Sequence, residues 1–216
     1  MVLTGADKLI MTDGRSHPTG FWAEEVTASH EVLTDAGFEV DIATPGGVRP
    51  PVDSGSAVAP FTDYLAKIED LLAKPLVLGD VSIDDYDAIY LPGGHGPMTD
   101  LAFDTDLGQL LRDADSRGKI VAALCHGPAG LLSAVDSSGF AFAGRRLTVF
   151  TDNEELNGGT GPQTPYFVEA RLRELGAVVA AGPAWSSTVV VDGNLITGQN
   201  PQSSVATATK VAEILR

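Results

Sequence analysis

The segment Ile120-Val121-Ala122-Ala123-Leu124-Cys125-His126-Gly127-Pro128 decides how this chain is read. Five apolar residues end in the only cysteine of 216, and a histidine, a glycine and a proline follow it directly. A small apolar stretch, Ala129-Gly130-Leu131-Leu132, comes next. The pattern predicts a buried strand, a tight turn and a helix, with the thiol at the turn. Such a turn lifts a nucleophile out of a sheet and aims the N-terminus of the following helix at it. Backbone N–H groups and the positive helix end favour the thiolate, the reactive form. A buried structural cysteine is the competing reading, since free cysteines are among the most buried side chains. The adjacent His126-Gly127-Pro128 favours a catalytic thiol.

Outward from this segment, the chain alternates short strands and helices. Val2-Leu3-Thr4 forms the stub of a first strand, and a polar loop runs from it through Pro18. A helix is predicted from Trp22 or Glu24 to Gly37, with Trp22, Val26, Leu33 and Ala36 on its inner face. Phe38–Ala43 alternates as a second strand, Pro45–Ser56 reads as loop, and Phe61–Ala73 as helix. Asp87–Leu91 is a buried strand running into Pro92-Gly93-Gly94-His95-Gly96. Leu107, Leu110, Leu111 and Ala114 mark a helix before the cysteine strand. Beyond it come a strand at Arg146–Phe150, a helix at Tyr166–Leu175, strands at Val178, Thr188–Val191 and Leu195–Thr197, and a closing helix through Val205 and Leu215. The alternation predicts an α/β domain over residues 1–216, a mainly parallel sheet sandwiched by helices.

Composition narrows the function classes. Hydrophobic residues make up 44% and charged residues 20%, which suits a soluble globular domain. Fourteen basic against 29 acidic residues leave a net charge of -15, so neither nucleic acid nor an anionic membrane is an expected partner. One cysteine excludes an intrachain disulfide, a Cys-x-x-Cys redox pair and a thiolate-rich zinc site. No apolar run approaches the roughly 20 residues of a membrane span, and the first residues lack the apolar core of a signal peptide. A cytoplasmic, reducing setting is expected.

Four polar clusters are predicted at the carboxyl ends of the strands, where open α/β sheets bind ligands: Gly20–Glu25, Pro92–Gly96, Cys125–Pro128 and Phe150–Glu155. A thiolate reaction needs a proton acceptor, a group to orient it, and donors for developing negative charge. His126 can supply the imidazole, Glu155 or Asp152 the orienting carboxylate, and the loop around Gly94 and His95 the backbone N–H donors. Glu24 and Glu25 stand at a helix start beside Trp22. A carboxyl buried there has a raised pKa and can serve as acid or base near neutral pH. Each cluster has a plainer reading: acidic first turns complement helix dipoles, paired glycines make turns, Asp152–Glu155 makes a cap, and His17 and His30 are solvated surface residues. His95 fits either a loop or the site wall.

Taken in order, Gly20-x-x-x-x-Glu25, Leu91-Pro92-Gly93-Gly94-His95-Gly96, Ala123-x-Cys125-His126-Gly127-Pro128, Phe150-Thr151-Asp152-Asn153-Glu154-Glu155 and Thr197-Gly198-Gln199-Asn200-Pro201-Gln202-Ser203-Ser204 resemble the ThiJ/PfpI superfamily. The resemblance spans nearly the whole chain and is strongest with the heat-shock chaperone-like and glyoxalase III branch. It implies a flavodoxin-like, class I glutamine amidotransferase-like fold. It further implies Cys125 as nucleophile, His126 as its imidazole partner, Glu155 as third member, and an acidic residue bonded to the thiol. Counting back from Gly37 gives that last role to Glu25 rather than Glu24. Backbone N–H groups of Gly94 and His126 are implied as the oxyanion hole, with His95 in the substrate-binding wall.

The implied activity is glutathione-independent conversion of methylglyoxal or a related 2-oxoaldehyde to a 2-hydroxy acid, with no cofactor and no metal. The expected partners are a small-molecule aldehyde and a second copy in a homodimer. A cysteine-dependent amide or isonitrile hydrolase or hydratase, and a chaperone or redox sensor, are the rival functions on the same fold. Two departures stand out. The first strand is short, so weak edge pairing or a truncated start is expected. The extra segment and metal-ligating histidines of the longer bacterial chaperone members are missing.

Overall fold

The computed structural model describes residues 1–216. Its centre is a four-stranded sheet built from β1 (Ala88–Leu91), β2 (Ile120–Leu124), β3 (Val189–Asp192) and β4 (Leu195–Gly198), in the spatial order β3-β4-β2-β1. β1, β2 and β4 run parallel, and β3 pairs antiparallel with β4. All five residues of β2 are buried. A strand covered on both faces must be apolar throughout, which is why Ile120–Leu124 reads as an unbroken run.

Helices cover both faces, as the α/β expectation required. α1 (Ala23–Asp35) and the closing helix, α5 (Ser204–Leu215), lie on one side, where Leu33, Ala208, Val211 and Ala212 pack with Ile120, Ala122 and Ile196. α2 (Thr105–Ser116) lies on the other, its Leu107, Leu111 and Ala114 packed with Val121, Ala123 and Leu195. Two short helices, α3 (Asp152–Gly158) and α4 (Val168–Glu174), complete the C-terminal half. No helix is long and apolar enough to cross a membrane.

Several local expectations need correction. The stub Val2-Leu3-Thr4 is not a weak edge. Val2 N–H donates to Tyr90 O at 2.9 Å and Leu3 N–H to Ala43 O at 2.9 Å, so the segment is hydrogen-bonded on both sides. Of the strand expected at Phe38–Ala43 only Ala43–Thr44 forms a ladder, with Leu76–Val77. The segment before it lacks a ladder partner, although its side chains still alternate in burial. The helix expected at Phe61–Ala73 is two helices, Phe61–Lys67 and Glu69–Ala73, separated at Ile68. The strand expected at Arg146–Phe150 pairs only over Arg146–Leu147. The polar loop before Pro18 contains a hairpin, Lys8–Ile10 against Ser16–Pro18. Three-residue strands around Asp13-Gly14 carry too little alternation to register as strands.

Gly127 shows how tightly the turn after β2 is packed. A Cβ there would lie 2.0 Å from the Leu91 carbonyl oxygen. Gly127→Ala must therefore push β1 and β2 apart, and it is expected to cost about 1–3 kcal/mol of stability. Urea unfolding of the two proteins checks this: the variant's midpoint should fall, and an unchanged midpoint would show that the turn yields freely.

Candidate active site

β2 delivers Cys125 to the sheet edge, and the chain there turns sharply. Cys125 has φ 58°, in the left-handed region that non-glycine residues rarely occupy. Neighbouring backbone holds it there: Cys125 N–H donates to Gly198 O at 3.0 Å, and Phe150 N–H donates to Cys125 O at 2.9 Å. The segment that follows, Gly127–Ser133, is a 3₁₀ stretch and not the expected α-helix. Two glycines and a proline within seven residues give it little helical propensity. The dipole of a long helix is therefore not available to the thiol.

Two side chains line up behind the sulfur. His126 Nδ1 lies 3.4 Å from Cys125 Sγ, and His126 Nε2 lies 2.5 Å from Glu155 Oε2. An ionised carboxylate can only accept, so Nε2 carries the proton and Nδ1 is left to accept the thiol proton. Glu155 sits in the first turn of α3, which begins with a Thr151–Glu154 capping box. Its Oε1 accepts from Thr160 N–H at 2.5 Å and Thr160 Oγ1 at 2.9 Å. The choice left open between Glu155 and Asp152 falls to Glu155; Asp152 forms no bond to the imidazole, and its Oδ1 has no partner.

Glu25 approaches from the other side, in the first turn of α1. It is fully buried, whereas Glu24 is partly exposed, as the count back from Gly37 predicts. Glu25 Oε2 accepts from Gly93 N–H at 2.7 Å. Its Oε1 has no hydrogen-bond partner, and the carboxyl lines the same cavity as the Cys125 thiol. The loop Pro92–Gly96 closes over this pair. Gly94 has φ 89°, and a Cβ on it would fall 2.3 Å from Gly20 O, so only glycine fits. The backbone N–H groups of Gly94 and His126 donate to no backbone carbonyl. His95 stands beside them, its Nε2 3.1 Å from Glu155 Oε1 and its ring centroid 4.1 Å from that of His126.

Burial sorts the protons. It pushes the Glu25 carboxyl up to about 8, against the bond from Gly93, so Glu25 is neutral at pH 7. Burial also raises the Cys125 thiol, and the ionised Glu155 carboxylate adds to the effect. Burial thus works against the thiolate favoured on sequence grounds and favours a resting thiol. Burial, with His95 nearby, lowers His126 and keeps the imidazole neutral. Burial alone would raise Glu155, but the hydrogen bonds from His126 and His95 hold it well below the ordinary carboxylate range.

The sulfur opens into a cavity of about 70 Å³, bounded by Trp22, Phe150 and Trp185 around Glu25, Cys125 and His126. That is room for a few water-sized groups, far below the several hundred Å³ of sites for drug-sized ligands. His95 Nε2, His126 Nε2 and a Glu155 oxygen lie within 4.8 Å of one another, so a metal ion could be held only at the imidazole–carboxylate end.

Some contributors were not read from sequence. Trp185, at φ 60°, packs its ring against Phe150, with centroids 5.4 Å apart. Its backbone N–H donates to Glu154 Oε1 at 2.7 Å, and Asn200 Nδ2 donates to the same oxygen at 2.9 Å. The Gly198-Gln199-Asn200 segment thus braces the cavity wall as well as the Cys125 turn. Nothing in the periodicity marks Trp185; Gly158, which leaves room for its ring, is the only trace. His30, expected at the surface, is buried on α1, its Nδ1 3.0 Å from the Tyr64 hydroxyl. His17 lies on the hairpin, its ring 6.1 Å from that of His95.

The chain is similar over its full length to the glutathione-independent glyoxalase HSP31 of Saccharomyces cerevisiae, with 30% identity covering 100% of this chain and 97% of that protein. Among solved structures it is similar to glyoxalase III of Candida albicans, with a TM-score of 0.83, 26% identity, and coverage of 98% of this chain and 94% of that one. It is also similar to the Rapid Encystment Protein 24 KDa of Francisella tularensis, with a TM-score of 0.91, 29% identity, and coverage of 100% and 97%. The DJ-1/PfpI pattern matches residues 18–214, and with that match the chain belongs to the DJ-1/PfpI family.

Proposed function

We propose that this protein is a glutathione-independent glyoxalase, converting methylglyoxal or a similarly small 2-oxoaldehyde to a 2-hydroxy acid. The observation that carries the reading is the pairing of a thiol and a buried carboxyl on one small cavity, with a neutral imidazole behind the thiol. The names of the yeast relative and of the Candida structure point the same way. A cytoplasmic setting, where a free thiol stays reduced, and a homodimer belong to the same proposal.

The groups account for every proton. Cys125 Sγ attacks the aldehyde carbon while His126 Nδ1 takes the thiol proton, and the oxyanion meets the N–H groups of Gly94 and His126. Glu25 gives its proton to the ketone oxygen; its carboxylate then removes the hydrogen from the former aldehyde carbon, leaving an enediolate. Returning that proton to the neighbouring carbon makes a thioester and a hydroxyl. Water then adds to the thioester, losing a proton to Glu25, and the imidazolium reprotonates the departing sulfur. One carbon is oxidised and its neighbour reduced, so no external oxidant is needed. The resting protonation states return unchanged.

Cys125→Ser should abolish turnover with the fold intact, because serine ionises far less at neutral pH. Glu25→Gln keeps the shape but loses the mobile proton, and should cost on the order of 100-fold or more in kcat/KM, while Glu24→Gln costs little. Steady-state kinetics with methylglyoxal checks all three; appreciable turnover by Cys125→Ser, or a larger loss at Glu24, would contradict the assignment.

Glu25 also leaves a signature in stability. Its carboxyl titrates near 4.5 when unfolded and is pushed up to about 8 when folded. The folded state binds this proton more tightly, so the associated stability is full below about pH 4.5 and is lost as pH rises towards 8. Glu25→Gln should match the parent near pH 4.5 and exceed it near pH 9 by a few kcal/mol. Denaturant titrations at the two pH values measure this, and a pH-independent difference would mean that Glu25 is not holding the proton.

A further inference from the structure

We propose that His95, His126 and Glu155 form a zinc-binding site. Both imidazoles direct Nε2 at a single carboxylate: His126 lies 2.5 Å from Oε2, and His95 lies 3.1 Å from Oε1 and 3.3 Å from Oε2. The three donor atoms lie within 4.8 Å of one another. With Zn–N and Zn–O bonds of about 2.0–2.2 Å, tetrahedral geometry places donors about 3.4 Å apart. The carboxylate–imidazole separations are all shorter than that value, the His126 one most, so an ion enters by spreading them by about 1 Å or less. Two imidazole nitrogens and one carboxylate oxygen are a donor set that zinc takes readily, with a fourth position left open.

The surroundings favour a cation and hold the donors in place. The adjoining cavity is lined by no lysine or arginine, and the chain carries a charge of -15. Thr160 grips Glu155 Oε1 through both its N–H and its hydroxyl. The far nitrogen of His126 is occupied by Cys125 Sγ, and such outer partners orient metal-binding imidazoles. The sulfur faces Nδ1 and lies outside the donor cluster, so it is not a ligand. A zinc ion on Nε2 places the imidazole proton on Nδ1. His126 can then no longer accept the thiol proton, and the protein is held in an inactive form while the metal is bound. This effect on turnover rests on the glyoxalase reading above; the binding itself does not.

Zinc titration of the full chain against a chromophoric chelator tests the site. The wild type should take up one zinc per chain, Cys125→Ser should bind within about threefold of it, and His95→Gln should bind at least tenfold more weakly. Cobalt in place of zinc should give a tetrahedral spectrum without a sulfur-to-metal charge-transfer band, which keeps the test decisive should His95→Gln fold poorly. Absence of stoichiometric uptake, loss of binding in Cys125→Ser, or a sulfur band would overturn the site. One equivalent of zinc should stop methylglyoxal turnover and a chelator restore it; full turnover by the zinc-loaded chain would overturn the blocked imidazole. A chain that binds zinc but never turns over the aldehyde would instead refute the glyoxalase reading and leave the metal site standing.

Discussion

The left-handed turn at Cys125 is the constraint on which the site depends. A non-glycine residue at φ 58° costs on the order of 1–3 kcal/mol and persists only where its surroundings over-determine it. Here they do so from two directions. The end of β4 accepts the Cys125 N–H, and Phe150 donates to the Cys125 carbonyl, so both peptide groups flanking the thiol are tied to other segments. The turn in turn leaves the His126 N–H without a backbone acceptor and sets the imidazole between sulfur and Glu155. Relaxing the backbone to an ordinary conformation would break these relations together.

Close approach of backbone is the second condition, and glycine meets it. A Cβ on Gly93 would lie 2.6 Å from His126 N and 2.9 Å from Glu25 Oε2. The loop after β1 is therefore pressed against the turn after β2, and its N–H reaches the Glu25 carboxylate. The Pro92-Gly93-Gly94 segment, which in sequence says only "turn", is what lets a carboxyl from α1 share a cavity with a thiol from β2.

How far the sequence can be read follows the range of the interactions involved. The strand before Cys125, the helix ending at Gly37 and the register that buries Glu25 are local patterns, and each was legible. Glu155 was distinguishable from Asp152 only through the family resemblance, because the choice rests on how α3 meets His126 in space. Trp185 was invisible, since its place depends on Glu154, Phe150 and Gly158 together. The burial that works against a thiolate was out of reach for a related reason. A turn and a helix start are sequence features, whereas full burial of the thiol beside two carboxyls is a property of the packed site. His30 shows the same limit in reverse: an ordinary polar residue on a helix is hidden only because the helices at Phe61–Ala73 fold over it.

Two buried glutamates beside one Cys–His pair hold opposite charge states, and their surroundings say why. Glu25 receives a single backbone N–H, too little to offset desolvation, so it keeps its proton next to the sulfur. Glu155 receives two imidazoles, a backbone N–H and a hydroxyl, and these hold it ionised despite similar burial. Pairs of carboxyls driven apart in this way divide acid from anchor in an active site. The division gives the imidazole its direction: the ionised partner fixes the proton on Nε2, Nδ1 is left free to accept, and the neutral partner supplies the proton that a dicarbonyl substrate lacks. A glutamate in place of either by composition alone would not do the same work; the number of donors that the fold aims at each carboxyl is what separates their roles.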